Sequence, residues 1–184
     1  VFFGPKNETV ILHRDVDVVA VPSGEAGELE MGTLASITQS LGGAFTVMVR
    51  GNLYRIAGHD ADALDKPMPP EPDVPDNPTD AQLDDALNFV LRQCYDPEIP
   101  VNIVDLGLIY RAEIEESFGA FRRVEIDMTL TAPACGMGPI LVHDVRTKLL
   151  RVPTINEVEI NLVFDPPWSR EMMSEAAQLE TGMF

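Results

Sequence analysis

The sequence predicts an α+β fold in two parts: a small β-rich N-terminal domain and a C-terminal α-β-β-α-β-α domain with a mixed sheet. Three observations lead there. Residues 66–78 include six prolines among thirteen residues and carry neither a strand nor a helix period, so they read as an extended, semi-rigid connector between residues 1–65 and 79–184. Before the connector, short alternating runs are separated by glycine-containing turns. After it, runs with a helix period alternate with runs of period two.

Element by element, Val16, Val18 and Ala20 alternate until Pro22-Ser23-Gly24 breaks the run. Residues 33–37 and 45–49 are further strand candidates around Leu41-Gly42-Gly43-Ala44, and residues 53–56 follow a turn at Gly51-Asn52. So many short strands in so few residues suggest a small barrel or a curled sheet. His13 and His59 lack surrounding metal-binding residues and read as surface or turn positions.

In the second part, Thr79 and Gln82 form a capping-box pattern. Leu83, Ala86, Leu87, Val90, Leu91 and Cys94 then follow one helical face until Asp96-Pro97. Leu108, Tyr110, Ala112 and Ile114 alternate as a half-buried strand. Val124, Ile126, Met128 and Leu130 do the same after a turn near residues 117–120, which predicts an antiparallel hairpin. Pro139 suits the first turn of a second helix with Leu141, Val142, Val145 and Leu149 on its apolar face. Val158, Ile160, Leu162 and Phe164 form a third strand, and Ser169 is positioned to cap a last helix through Met172, Ala176 and Leu179. The β-α-β crossover predicts that the second and third strands of this part run parallel.

Composition narrows the function. Hydrophobic residues make up 45% of the 184, enough for a core, and the net charge is −17. Such a chain repels nucleic acid and anionic membranes, so neither is an expected partner. No apolar run reaches the ~20 residues of a membrane helix, and no secretion signal is visible. Two distant cysteines without zinc-type spacing point to a reducing cytoplasm.

The chemistry concentrates in residues 131–138, Thr131-Ala132-Pro133-Ala134-Cys135-Gly136-Met137-Gly138. A strand ends, a glycine-containing loop follows, and a helix begins. Ligand sites recur at the carboxyl end of such a strand. Cys135 would face the positive end of the helix, which stabilises a thiolate. A small residue packed in a tight loop is the competing reading. Cys94, on an apolar stripe, reads as a small core hydrophobe. His143 reads as an exposed helical histidine, with a supporting role left open. Asp96, Glu98 and Asp105 lie in a loop otherwise rich in proline and aliphatic residues, where an acid is costly unless hydrogen-bonded or functional. For Asp96, a backbone cap and a chemical role stand equally. Trp168, in Asp165-Pro166-Pro167-Trp168, either walls the same end of the sheet or closes the core.

Asp96 to Tyr110 (DPEIPVNIVDLGLIY), with TAPACGMG at 131–138 and DPPW at 165–168, resembles the MIP-type metal–sulfur cluster biosynthesis domain over about residues 79–184. The three pieces are specific in combination, not singly. The preceding part, with Gln39-Ser40-Leu41-Gly42-Gly43 and Phe45-Thr46-Val47, resembles the longer SufT subtype. The resemblance implies a role in maturing iron–sulfur proteins, with Cys135 matching the family's functional cysteine and Asp96, Glu98 and Asp105 its loop acids. Gly107, Thr131, Gly136 and Trp168 complete the expected site-forming loops. Many shorter members carry proline after that cysteine, where this chain has Gly136; the departure fits the longer subtype. A related branch assists assembly of a phenylacetyl-CoA oxygenase, a different client for the same kind of domain.

The expected role is therefore an accessory factor for iron–sulfur cluster assembly or transfer, with no catalytic residues and no permanent cofactor. Cys135 would hold iron or a cluster transiently. Four protein ligands normally hold a stable cluster, and two cysteines are too few. A cluster would need a homodimer interface, a client's cysteines or an external thiol. Assembly proteins and client apo-proteins are the expected partners. Two alternatives remain: a thiol enzyme with Cys135 as nucleophile, for which only His143 is a nearby base, and an adaptor that docks clients through its acidic surface.

Overall fold

The computed structural model describes residues 8–116, 119–132 and 136–182. The chain divides into two compact units, Val1–Pro70 and Glu71–Phe184. The fold is α+β, with a large antiparallel sheet in the first unit and a three-stranded mixed sheet with helices in the second.

Six strands build the first unit: β1 (Glu8–Ile11), β2 (Val16–Val21), β3 (Ala26–Leu29), β4 (Leu34–Leu41), β5 (Ala44–Val49) and β6 (Asn52–Ile56). Their order is β1-β4-β5-β6-β2-β3, antiparallel throughout. The sheet curls at a bulge between Ile37 and Gln39. Among the described residues it keeps two edges, β1 and β3, so they form an open curled sheet and not the alternative closed barrel. Two-residue turns join β4 to β5 and β5 to β6. Gly42 and Gly43 sit at φ 57° and 79°, Arg50 and Gly51 at 51° and 86°, the left-handed geometry such hairpins require. Val16, Val18, Ile37, Val47 and Ile56 are buried together with Ala61, Ala63 and Leu64 of a 3-10 helix, Gly58–Leu64. Alternation did not mark β1, β3 or this 3-10 helix. Both strands are four residues long and lie at edges, where half-exposure erases the pattern.

In the second unit α1 (Asp80–Leu91) opens with the expected capping box: the Thr79 hydroxyl accepts from the Gln82 N–H, and the Gln82 side chain accepts from the Thr79 N–H. Such a cap contributes about 1 kcal/mol. The helix ends at Leu91, five residues before Asp96. Gln93 and Cys94 donate to the carbonyls of Val90 and Leu91, tightening the last turn. Cys94 is fully buried as expected, but past the helix end.

Strands β7 (Ile109–Glu116) and β8 (Arg122–Met128) form the antiparallel hairpin, and β9 (Ile155–Leu162) pairs with β8 in parallel. The crossover is α2 (Gly138–Leu149), with Pro139 in its first turn. One face of the sheet packs on the helices through Val124, Ile126, Met128, Leu141, Val145 and Leu149. The other face carries ion pairs, with Arg111 bound to Asp127, Glu125 and Glu113. Leu130 and Phe164 lie beyond the strands that were expected to contain them. The last helix, α3 (Glu175–Thr181), is capped by Ser174, not Ser169: the Ser174 hydroxyl accepts from the Ala177 N–H at 3.2 Å. Ser169 instead precedes a single 3-10 turn, Arg170–Met172, which ends because Met173 is extended and buried.

Candidate functional site

Because β7 runs antiparallel to β8 and β9 runs parallel to it, the start of β7 and the ends of β8 and β9 share one end of the sheet. Three connections therefore meet there: residues 95–108 before β7, residues 129–132 after β8 and residues 163–174 after β9. Hydrogen bonds tie them together. Thr129 donates its N–H to the Leu108 carbonyl (2.8 Å), and Val163 to the Met128 carbonyl (2.9 Å). The Trp168 indole donates to the Leu106 carbonyl (2.7 Å), and Ser174 N–H to the Asp105 carbonyl (2.8 Å).

The loop before β7 is folded by its own polar side chains. Asp96 is buried, and its Oδ1 accepts from the N–H groups of Glu98 (2.9 Å) and Ile99 (2.8 Å). This turn is the backbone cap, one of the two readings of Asp96. A second turn follows at Asn102, whose Oδ1 accepts from Val104 (3.1 Å) and Asp105 (2.9 Å) N–H groups. Between these turns Val101, Ile103, Leu106 and Leu108 drop into the core. Glu98 stays on the surface.

Asp105 accepts from Asn102 Nδ2 (2.6 Å) and from Arg92 Nη1 (3.0 Å to each oxygen). Partial burial pushes its carboxyl up, but hydrogen bonds from Asn102 and Arg92 with the Arg92 charge, and a further bond from Ser174, outweigh it and hold the group below its ordinary range. Asp105 is thus an ionised clamp between α1, its own loop and the start of α3.

Gly107 has φ 70°, and a Cβ there would collide with the Met172 backbone carbonyl. Only glycine lets the two connections approach so closely. Trp168 is partly buried against the core as well as bonded to Leu106, so it closes the core and pins the loop. Thr131 is partly buried in the bend after β8. Gly136 is exposed, with open space where a side chain would stand. Gly138 seats α2 against Leu130; a Cβ would come within 2.7 Å of Leu130 Cδ1. Met137, the N-cap of α2, makes no side-chain cap hydrogen bond. Cys135 lies outside the described residues.

His143 is exposed on α2, its Nε2 3.4 Å from Thr147 Oγ1. His13 is exposed, and His59 contacts Asp60 at 3.2 Å. Among the described residues no three histidine, cysteine, aspartate or glutamate side chains are grouped to hold a metal ion, and no helix is long and apolar enough to cross a membrane. Sequence reasoning passed over Arg92, Asn102, Tyr110 and Ser174. Asn102, three residues before Asp105, carried the one available signal, the side-chain-to-backbone turn that asparagine favours.

The unit that carries this end of the sheet is similar to known proteins. Residues 84–162 match the family described as iron–sulfur cluster assembly protein. An Fe-S protein maturation auxiliary factor of Porphyromonas gingivalis is 46% identical over 101 residues, 55% of this chain and 92% of that one. The Fe-S protein maturation auxiliary factor SufT of Staphylococcus aureus is 39% identical over 88 residues, 48% of this chain and 96% of its own. A crystal structure of a domain of unknown function from Bacillus anthracis superimposes with a TM-score of 0.51 at 37% identity, covering 56% of this chain and 95% of that one. The chain belongs to the iron–sulfur cluster assembly protein family.

Proposed function

We propose that this chain is an accessory factor in iron–sulfur cluster assembly or in transfer of clusters to client proteins, with Cys135 as its transient contact to iron, a cluster or a partner thiol. The observation that carries this reading is the meeting of the three motif-bearing connections at one end of the sheet, with the Cys135 motif following β8. Cys94 is fully buried and its thiol donates to the Val90 carbonyl at 3.5 Å, which leaves Cys135 as the thiolate for exchange. Cluster and iron are cargo here. The remaining ligands come from a client, a small thiol or a second copy of the chain. Asp96, Asp105, Gly107 and Trp168 hold the surrounding connections in place, while Glu98 and Gly136 are exposed and Thr131 is partly buried. Assembly proteins and apo-proteins of the cytoplasm are the partners this role requires.

The test is complementation in cells lacking the protein, followed by activity of iron–sulfur enzymes. Cys135→Ser, folded and expressed at wild-type level, is expected to give no rescue. Full rescue would overturn the thiolate role and leave a docking adaptor. Turnover of a small thioester by the wild type, abolished in Cys135→Ser, would replace the assembly reading with a thiol enzyme.

Residues 1–65 and 79–184 are proposed to act as two folding units joined by 66–78. Pro69 rests against Gly43 and Gly58 in the first unit, and Val74 packs on the core of the second. Limited proteolysis is expected to cut within 66–78 before either flank.

A further inference from the structure

The segment after β9 crosses the sheet. At Val163 it still lies beside β8, bonded to the Met128 carbonyl. At Pro166 its carbonyl accepts from the Tyr110 hydroxyl (2.8 Å), and at Trp168 its indole reaches the Leu106 carbonyl (2.7 Å); both partners belong to the β7 side. Residues 163–168 therefore pass over the exit of β8, where Thr129 stands. Side chains alternate along β8. Val124, Ile126 and Met128 enter the core, while Glu125 and Asp127 take the opposite face, and Thr129 continues this second set. The Asp127 side chain retains 25% exposure, yet Thr129 has 0%. The segment leaves β9 at the level of Met128, beside Thr129 and beyond Asp127. The Thr129 hydroxyl is buried there without a hydrogen-bond partner.

We propose that residues 163–168 are a strap that opens and closes over the end of β8, with the unpartnered Thr129 hydroxyl setting the balance. When the strap is closed, the hydroxyl has lost water and gained nothing, which raises the energy of that state. Opening rehydrates it. The strap is gripped by two hydrogen bonds, one from a phenol, which also lies 3.7 Å from Met172 Sδ, and one from an indole whose ring also packs on the core. Pro166 at the first anchor and Pro167 between the two stiffen the chain, so it moves as one piece. If the assembly role above holds, and this clause rests on it, opening of the strap widens access to the end of the sheet from which the Cys135 loop departs.

The chain has one tryptophan, so its indole N–H is a unique reporter of the strap. Exchange of that hydrogen with solvent, followed by NMR on the full chain, measures opening. Thr129→Val keeps the shape and removes the orphan hydroxyl. It is expected to slow indole exchange about 5- to 150-fold, the equivalent of the roughly 1–3 kcal/mol for an unsatisfied group. Tyr110→Phe removes one anchor and is expected to speed exchange about 2- to 10-fold. Unchanged or faster exchange in Thr129→Val would overturn the proposal. So would a lower melting temperature for that variant or failure to fold, since either means the hydroxyl has a partner, and so would unaltered exchange in Tyr110→Phe. These readouts use the protein alone, so their failure leaves the assembly role standing, and rescue by Cys135→Ser leaves the strap standing.

Discussion

The two sheets of this protein solve the problem of connection differently. In the first unit, β4, β5 and β6 are joined by two-residue turns at Gly42-Gly43 and Arg50-Gly51. Such turns have room only for the geometry of the reversal. In the second unit the hairpin is followed by a crossover helix, and the connections before β7, after β8 and after β9 are long. Parallel pairing of β8 with β9 forces a long crossover between them and, with the antiparallel hairpin, puts the start of β7 and the ends of β8 and β9 at one end. Chemistry collects where connections are long and rigidly based. Glycine marks both regions, for different reasons: at Gly51 it serves the backbone angle alone, at Gly107 it also yields space to another connection.

That difference predicts the largest effect. Gly107→Ala imposes a left-handed penalty of about 1–2 kcal/mol and drives a methyl into the Met172 carbonyl, which adds about 1–3 kcal/mol of overpacking. Gly51→Ala has the same kind of angle and open space around it, so it is expected to cost only the first amount. Chemical denaturation of both variants checks this. Equal losses would mean that residues 170–174 yield freely, and that the close approach does not hold the site end together.

Asp96 supplies the next contrast. Asp96→Ala removes a buried acceptor from two backbone N–H groups and is expected to cost about 2–3 kcal/mol. Asp96→Asn keeps an acceptor oxygen and is expected to recover most of it. A loss of complementation in Asp96→Asn without a loss of stability would assign the carboxylate a chemical role beyond anchoring.

Much of this was legible in the sequence, unevenly. The strands β2, β4, β5, β6, β7, β8 and β9 announced themselves because burial of one face imposes a period, and the start of α1 did so through its Thr79–Gln82 capping box. The same rule fails at β1 and β3, whose exposure hides any period. The end of α1 was misplaced because apolar spacing carries through Cys94, which is buried by the turn after the helix. At the site end, the sequence located the loop acids but not their partners. Asp105 meets Arg92 and Ser174 only through the fold, and no local pattern names a contact between residues so far apart in sequence. Trp168 had two readings, and packing supports closure of the core.

Cys94→Ser comes third in size. The thiol donates to the Val90 carbonyl, and a serine hydroxyl can keep that bond. The remaining cost is the exchange of sulfur for a more polar atom in a dry site, about 1 kcal/mol. A thermal melt detects it. Iodoacetamide at limiting amounts should modify Cys135 and spare Cys94 in the native protein; faster labelling of Cys94 would reverse the assignment of the reactive thiol.

The smallest effect separates the two regions by their electrostatics. Asp62 in the first unit and Asp105 in the second are both held below the ordinary carboxylate value of 3.8. Hydrogen bonds from Arg14 lead for Asp62; for Asp105 burial opposes the shift, and bonds from Asn102 and Arg92 overcome it. In each case the folded value lies below the unfolded one. The stabilisation is therefore complete above pH 3.8 and is lost as pH falls through the folded value. The environments differ: the Asp62 side chain is 55% exposed and that of Asp105 28%. Salt screens the exposed pair far more than the clamped one. Carboxylate titration by NMR at low and high ionic strength is expected to move Asp62 back toward 3.8 and to leave Asp105 depressed. Arg92→Met should raise the Asp105 value at both ionic strengths while leaving the Asn102 bond in place. If Asp105 instead relaxes with salt as Asp62 does, its depression is a surface charge effect, and the network around Asn102 and Ser174 is not what holds the site end together.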